Sequence, residues 1–259
     1  MKKFLKSMLV LSAVLLLGAC GTQNQQASEE EKNEEITLYL VRHGKTFFNS
    51  TGQVQGFCDS PLTEDGIEKA KQLGEGLKDI EFDLAYSSDL GRQRNTAKLI
   101  LSKTAKSKPK LTELDGFKEW NYGGYEGKTN EEMMKPVLES NGFEYDESGS
   151  QYGAMVEKLG DEGIADTIAK NDPLKAAESY DEIVTRGTAA MDKVIKDAKK
   201  NNAKNVLIVS SGGMIPTLLS ITAQEEYKGE PISNCSVTTL KYKDGTYKIE
   251  SIGDTQYIE

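Results

Sequence analysis

His43 is the only histidine in the 259-residue chain, and it directly follows a run of strand-forming residues. The run at 38–41, LYLV, gives way at Arg42 and His43 to Gly44 and a polar loop. Such a switch is typical of the carboxyl end of a buried strand, where open α/β sheets bind their ligands. Any histidine chemistry therefore belongs to His43 alone, and a histidine-rich metal site is excluded.

An arginine beside a histidine suits phosphoryl transfer. Neutral imidazole can attack phosphorus and form a phosphohistidine that water later hydrolyses, and the planar guanidinium fork matches phosphoryl oxygens. A second arginine is available at Arg92 or Arg94, just inside a predicted helix. If the strands are parallel, that helix begins at the same sheet edge as His43. Glu119, in the loop 115–127, is the candidate proton donor for the leaving oxygen.

Strand-like and helical segments alternate from residue 36 onward, which predicts βαβ units. We expect an α/β three-layer sandwich with a mainly parallel central sheet and helices on both faces. The segment 128–178 has no clear pattern, and we interpret it as a partly helical insertion over the pocket. The predicted strands are 36–41, 84–86, 110–114, 205–209, 236–243 and 246–252. The predicted helices are 64–78, one ending near 102 with Ser87, Ser88 and Asp89 as its cap, 179–200 and 214–221.

Four segments occur in one order along the chain: LVRHGKTFFN, YSSDLGRQRNTA, KEWNYGGYEG and NVLIVSSGG. Together they resemble the histidine phosphatase superfamily, the phosphoglycerate mutase-like proteins. The similarity covers roughly residues 37–127 and 178–258. An Arg-His-Gly triplet alone is a weak signal, whereas the ordered set of four is specific.

The resemblance implies a function and a set of site residues. It implies a phosphoenzyme intermediate on His43, with Arg42 and Arg92 on the phosphoryl oxygens and Glu119 as proton donor and acceptor. It implies a small phosphorylated substrate, no cofactor and no metal. The substrate-binding residues that we expect are Thr46, Asn49, Gly56, Ser211 and Gly212.

Ser211 departs from the family pattern. The family carries a second histidine in a Ser-His-Gly motif at this position, whereas serine offers only a neutral hydrogen bond. Losing one pre-organised transition-state donor typically costs about 10²–10³ in rate. Three functions therefore stay open: an active phosphomonoesterase, a phosphate-binding pseudophosphatase that has lost turnover, and a phosphoglycerate mutase-type phosphotransferase. Ser211 as a neutral N-cap of the following helix is a further alternative.

The first residues predict export. Basic residues, a short apolar run and the sequence Leu17-Gly18-Ala19-Cys20 are typical of a secretory signal and resemble a bacterial lipobox. We expect a signal peptide at 1–19, a lipid on Cys20 and a flexible tether at 20–35. The domain at 36–259 would then lie at the outer face of the cell membrane. A plain signal peptide with an incidental cysteine is the alternative.

Charge and cysteine content limit the partners further. The formal net charge of -9 argues against nucleic-acid binding, which needs a basic face. Cys58 and Cys235 are the two remaining cysteines. Export would permit a disulfide between them, but two unpaired thiols are an equal alternative.

Overall fold

The computed structural model describes residues 34–104, 108–146 and 150–258. These residues form an α/β fold around a mixed six-stranded sheet. The strands are β1 (Ile36–Arg42), β2 (Leu84–Ser87), β3 (Leu111–Glu113), β4 (Asn205–Ser210), β5 (Val237–Lys243) and β6 (Thr246–Asp254). The helices are α1 (Phe47–Thr51), α2 (Glu64–Gly76), α3 (Gly91–Lys103), α4 (Asn130–Ser140), α5 (Ser150–Asn171), α6 (Tyr180–Asn201) and α7 (Met214–Ala223).

The strand order is β3-β2-β4-β1-β5-β6. Strands β1 to β4 run parallel to their neighbours among themselves, and β5 is antiparallel to both β1 and β6. In the central pair, Arg42 at the end of β1 faces Ser210 at the end of β4. The polar segments that follow β1, β2 and β4 therefore meet at one edge of the sheet, as the sequence predicts.

The sheet separates two apolar cores. One cluster joins the inward side chains of α2 and α3 to one face of the sheet, and the other joins α4, α5, α6 and α7 to the opposite face. Alternate residues of each strand serve alternate faces, as the pleat requires. In β4, Val206 and Ile208 belong to the second cluster, whereas Leu207 and Val209 belong to the first.

Two local predictions are wrong. Ser87, Ser88 and Asp89 do not cap α3, whose N-cap is Leu90 without a side-chain bond. The carboxylate of Asp59, from a distant loop, instead accepts from the first helical amide, that of Gly91, at 2.6 Å. The polar loop after β1 also contains the short helix α1, which carries too little apolar periodicity to be predicted.

The insertion at 128–178 consists mainly of α4 and a kinked α5, and the kink lies at Gly160, where φ is 62°. Within the described ranges, no helix is long and apolar enough to cross a membrane. The predicted signal peptide at 1–19 and lipidated Cys20 lie outside the described residues, as does the tether apart from its last two residues.

Candidate active site

His43 lies immediately beyond β1 and is 3% exposed. Its backbone is fixed from two sides: the amide donates to Ser210 O at 3.0 Å, and Asn234 Nδ2 donates to the carbonyl at 2.8 Å. Its ring atom Nδ1 lies 2.8 Å from Gly44 O. Because a carbonyl oxygen can only accept, Nδ1 carries the proton. Nε2 therefore has a free lone pair.

The surroundings of His43 keep its ring neutral. Burial, followed by the charges of Arg92 and Arg42, lowers the pKa of His43 well below its ordinary value of 6.5, against an opposing contribution from the Gly44 carbonyl. Burial removes the water that would stabilise an imidazolium, and each arginine repels it. At neutral pH the side chain is a neutral base with one ring nitrogen available.

Arg42 precedes His43, and its side chain extends from the opposite face of the sheet. Its Nη1 donates to Ile232 O at 2.7 Å, while Nε is buried without a hydrogen-bond partner. Gly212 packs against the guanidinium so closely that a Cβ atom at this position would lie 3.0 Å from Cζ. Burial lowers the pKa of Arg42, and the charge of Glu119 offsets part of that shift. The site thus holds a cation with an unused donor.

Arg92 is fully buried and fixed by the loop 55–59. Nη1 donates to Cys58 O at 2.8 Å and pairs with Asp59 at 3.2 Å, and Nη2 donates to Gly56 O at 2.7 Å. As in Arg42, the buried Nε has no hydrogen-bond partner. The carbonyl of Gly56, a predicted substrate-binding residue, thus accepts from Arg92.

Glu126 organises the loop that holds Arg92. Its carboxylate accepts from the amides of Gly56, Phe57 and Cys58 at 2.8–3.0 Å and from that of Tyr122 at 3.0 Å. A single glutamate in an irregular loop has no distinguishing pattern, so the role of Glu126 could not be predicted from the sequence.

Glu119 lies 7% exposed on the cavity wall near Arg42. Oε1 accepts from the amide of Trp120 at 2.9 Å, and Oε2 accepts from that of Gly213 at 2.8 Å. Gly213 is the N-cap of α7 and makes no side-chain cap of its own, so the suggested capping role of Ser211 is wrong. The backbone of Glu119 is held by Arg186, whose Nη2 donates to its carbonyl at 2.8 Å. Arg186 is another residue that the sequence analysis missed.

Thr46 and Asn49 form the cap of α1 next to the site. Thr46 Oγ1 accepts from the amide of Asn49 at 3.1 Å and donates to Gln55 Oε1 at 2.9 Å. Thr46 is fully buried, and these two hydrogen bonds shape the loop. Asn49 faces the cavity and accepts from Asn234 Nδ2 at 3.4 Å.

A cavity of about 370 Å³ opens over Arg42 and His43. Among its described lining residues Glu119 is the single carboxylate, and side-chain amides predominate over apolar groups. The sequence analysis did not single out most of this wall. The other lining residues are Lys45, Phe48, Asn49, Gly52, Gln53, Val54, Gln55, Tyr122, Asn130, Met133 and Asn234.

The two cysteines of the described domain are both free thiols. Burial raises the pKa of Cys58 and of Cys235 to about 12, so neither is a thiolate at neutral pH. Of the alternatives left open by the sequence, the structure therefore contains two unpaired residues.

The family sequence model for the histidine phosphatase superfamily (branch 1) matches residues 38–255 of the chain. The chain belongs to this superfamily, so the family suggested by the four motifs is confirmed. The crystal structure of a phosphoglycerate mutase from Bacillus anthracis is similar, with a TM-score of 0.81 and 38% identity over 88% of this chain and 97% of that one. This structural similarity confirms the predicted α/β fold class.

Two relatives indicate the range of activities around this chain. A metal-independent phosphoserine phosphatase of Arabidopsis thaliana is 30% identical over 234 residues, 89% of this chain and 87% of the relative. A broad-specificity phosphatase of Saccharomyces cerevisiae is 27% identical over 236 residues, 89% of this chain and 90% of the relative. Phosphatases and a mutase therefore both occur among the similar proteins.

Proposed function

We propose that this protein is a phosphomonoesterase that works through a phosphohistidine on His43. The observation that carries the proposal is the state of the ring. Nδ1–H is fixed on Gly44 O, so Nε2 is the nucleophilic nitrogen, and the lowered pKa keeps it unprotonated. The names of the two similar phosphatases support hydrolysis.

In the first step Nε2 of His43 attacks phosphorus, and the bond to the leaving oxygen breaks. The phosphoryl oxygens accept from Nε–H of Arg42 and Arg92, two of the buried donors that have no hydrogen-bond partner within the described residues. Glu119 is the proposed donor of the proton that the leaving oxygen takes up.

In the second step a water molecule attacks the phosphohistidine. The Glu119 carboxylate takes a proton from this water as the P–Nε2 bond breaks, and the electron pair of that bond returns to the imidazole. Inorganic phosphate leaves, and Glu119 and His43 regain their starting protonation states.

Ser211 bears on the rate of this reaction. A neutral hydroxyl stabilises a developing negative charge less than an imidazolium would, so we expect a slow enzyme. The alternative of a pseudophosphatase predicts anion binding without turnover. The mutase-type alternative is favoured by one observation, the 38% identity to the Bacillus anthracis mutase.

Hydrolysis of p-nitrophenyl phosphate by the purified domain tests the proposal. We expect turnover in the wild type, its loss in His43→Ala, and an acid-labile, base-stable phosphoryl adduct that peptide mapping places on His43. A domain that binds orthovanadate but releases no phosphate would favour the pseudophosphatase. An adduct on serine or aspartate would contradict the mechanism.

We further propose that the protein is an exported lipoprotein anchored to the outer face of the cell membrane through Cys20. The support is the sequence alone: a basic start, a short apolar run and the Leu17–Cys20 site. In that location the substrate would be a small phosphorylated compound outside the cell.

A further inference from the structure

Gln93 is a fully buried polar residue of α3 that the mechanism above does not use. It directly follows Arg92, and it lies one helical turn before Thr96, whose Oγ1 accepts from the amide of Gly44 at 3.0 Å. Its Nε2 donates to Ser211 Oγ at 2.5 Å. The helix face that fixes the segment after β1 therefore also binds the first residue after β4.

The strand register places Ser211 beside His43 on the face covered by α3. Along β4, Leu207 and Val209 face the core formed with α2 and α3, so the alternation brings Ser211 to this face as well. Along β1, Val41 faces the same core, which brings His43 to the same side. The two strands are adjacent and parallel, with Arg42 opposite Ser210.

The hydrogen bond from Gln93 determines which further hydrogen bond the Ser211 hydroxyl can make. The hydroxyl oxygen accepts from Nε2, so its own proton stays available to a second group. The other carboxamide atom, Oε1, is buried without a hydrogen-bond partner. If the amide were turned the other way, Oε1 would accept the Ser211 proton and withdraw it from the site.

We propose that Gln93 is a positioning residue, whose amide holds the Ser211 hydroxyl so that its proton points at the phosphoryl group on His43. The inference rests on the proposed function. Hydrogen bonds in a chain polarise one another, so Ser211 becomes a stronger donor than a lone hydroxyl. Gln93 and Ser211 together would provide the neutral counterpart of the family's second histidine.

A double-mutant cycle tests the inference. Gln93→Met keeps the length and packing of the side chain but cannot donate, and Ser211→Ala removes the hydroxyl. We expect Ser211→Ala to lower kcat on p-nitrophenyl phosphate on the order of 10²-fold with little change in KM. Gln93→Met should lower kcat about tenfold and should have no further effect in the Ser211→Ala background, because it acts only through the hydroxyl.

Two further variants sharpen the result. Gln93→Glu places an acceptor beside Ser211 and should reduce kcat at least as far as Ser211→Ala. Ser102→Ala is the control, because Ser102 Oγ donates to Leu99 O at the exposed far end of the same helix α3. It should leave kcat close to the wild-type value. Thermal melts establish whether each variant is folded. If Gln93→Met does not fold, Gln93→Glu tests the inference in its place.

Independent effects of Gln93→Met and Ser211→Ala, or an unchanged kcat in both Gln93 variants, would overturn the inference. If the wild type itself shows no turnover, the proposed function fails separately. The same double-mutant cycle is then measured on binding. The quantity compared is the affinity for orthovanadate, which mimics the transition state, relative to the affinity for inorganic phosphate. When Ser211 is present, Gln93→Met should weaken the binding of orthovanadate more than the binding of phosphate. An equal weakening of orthovanadate binding in the Ser211→Ala background would overturn the inference.

Discussion

The assigned chemistry of His43 depends on which ring nitrogen carries the proton. The contact of Nδ1 with Gly44 O leaves Nε2 with a free lone pair, and the lowered pKa of His43 keeps Nε2 unprotonated at pH 6.5. The chain has one histidine, so its ring signals in a nitrogen-15 NMR spectrum need no assignment. We expect the Nδ1–H tautomer and no titration step near pH 6.5. An Nε2–H tautomer, or a midpoint near 6.5 in the folded protein, would contradict the assignment.

The same shift makes stability depend on pH. Below about pH 6.5 the unfolded chain binds a proton on His43 that the native state does not bind, so His43 lowers the free energy of unfolding as the pH falls through that range. His43→Gln should reduce this slope in urea titrations. This variant also serves as the control for the NMR measurement, because its spectrum should lack the ring signals.

Ser211 is the residue at which the proposed site departs from the family pattern. The serine is buried and adds no positive charge. The carboxamide of Gln93 lies against its hydroxyl, so a larger side chain at 211 would have to displace that group. The proposed role of Gln93 therefore predicts that residues 93 and 211 are energetically coupled.

At the scale of elements, the register of α3 places Arg92 close enough to His43 for its charge to lower the pKa of the ring. Two positions along a helix differ by about 200° in direction, so Arg92 and Arg94 cannot face the same cavity. Arg92 is buried, whereas Arg94 pairs with Glu113 at 2.6 Å on the partly exposed side of the helix. An exposed pair of this kind is worth about 0–1 kcal/mol.

Replacing the two arginines separately tests this register. Arg92→Ala should weaken binding of inorganic phosphate and orthovanadate by about 10–100-fold, because a hydrogen bond to a charged group is worth about 1.5–3 kcal/mol. Arg94→Ala is the matched control and should bind both anions nearly as the wild type does, measured by calorimetry. Thermal melts separate lost binding from a disturbed 55–59 loop. Weaker binding in Arg94→Ala than in Arg92→Ala would mean that the assignment of the two residues is reversed.

At the scale of the whole molecule, the positive charge of the site is strictly local. The chain carries a net charge of -9, so the proposed mechanism requires Arg42 and Arg92 to bind an anion within an acidic protein. An acidic surface gives no broad attraction to anionic lipid. The lipoprotein proposal therefore assigns membrane association to the lipid expected on Cys20.

Cys20→Ala tests the proposed location. Without the thiol no lipid can be attached, so this variant should leave the membrane fraction and lack the mass of the lipid. Cys58→Ala is the control, because Cys58 belongs to the folded domain, and it should stay membrane-bound. Fractionation and intact-mass measurements report both results. Membrane retention of Cys20→Ala with an unchanged mass would eliminate the lipoprotein proposal.

Much of the fold could be predicted from the sequence, because its signals are local. The apolar run before Arg42 and His43, the near-continuous apolar run of β4, and the capping box at Ser179 depend on neighbours in the chain. The two caps at Thr63 and Ser179 form as predicted, because each hydroxyl needs only an amide three residues ahead.

Other features depend on contacts between distant segments, and only the tertiary structure decided them. Asp59 caps α3 across 32 residues of sequence, and Gln93 meets Ser211 across 118. These side chains meet only when the backbone is folded, so no local sequence pattern indicates which residues will pair. The sequence by itself determined the superfamily and the histidine, because motif spacing is a property of the chain. The tertiary structure decided the tautomer of His43, the register of Arg92 and the partner of Ser211, because hydrogen-bond direction and burial exist only in the folded state.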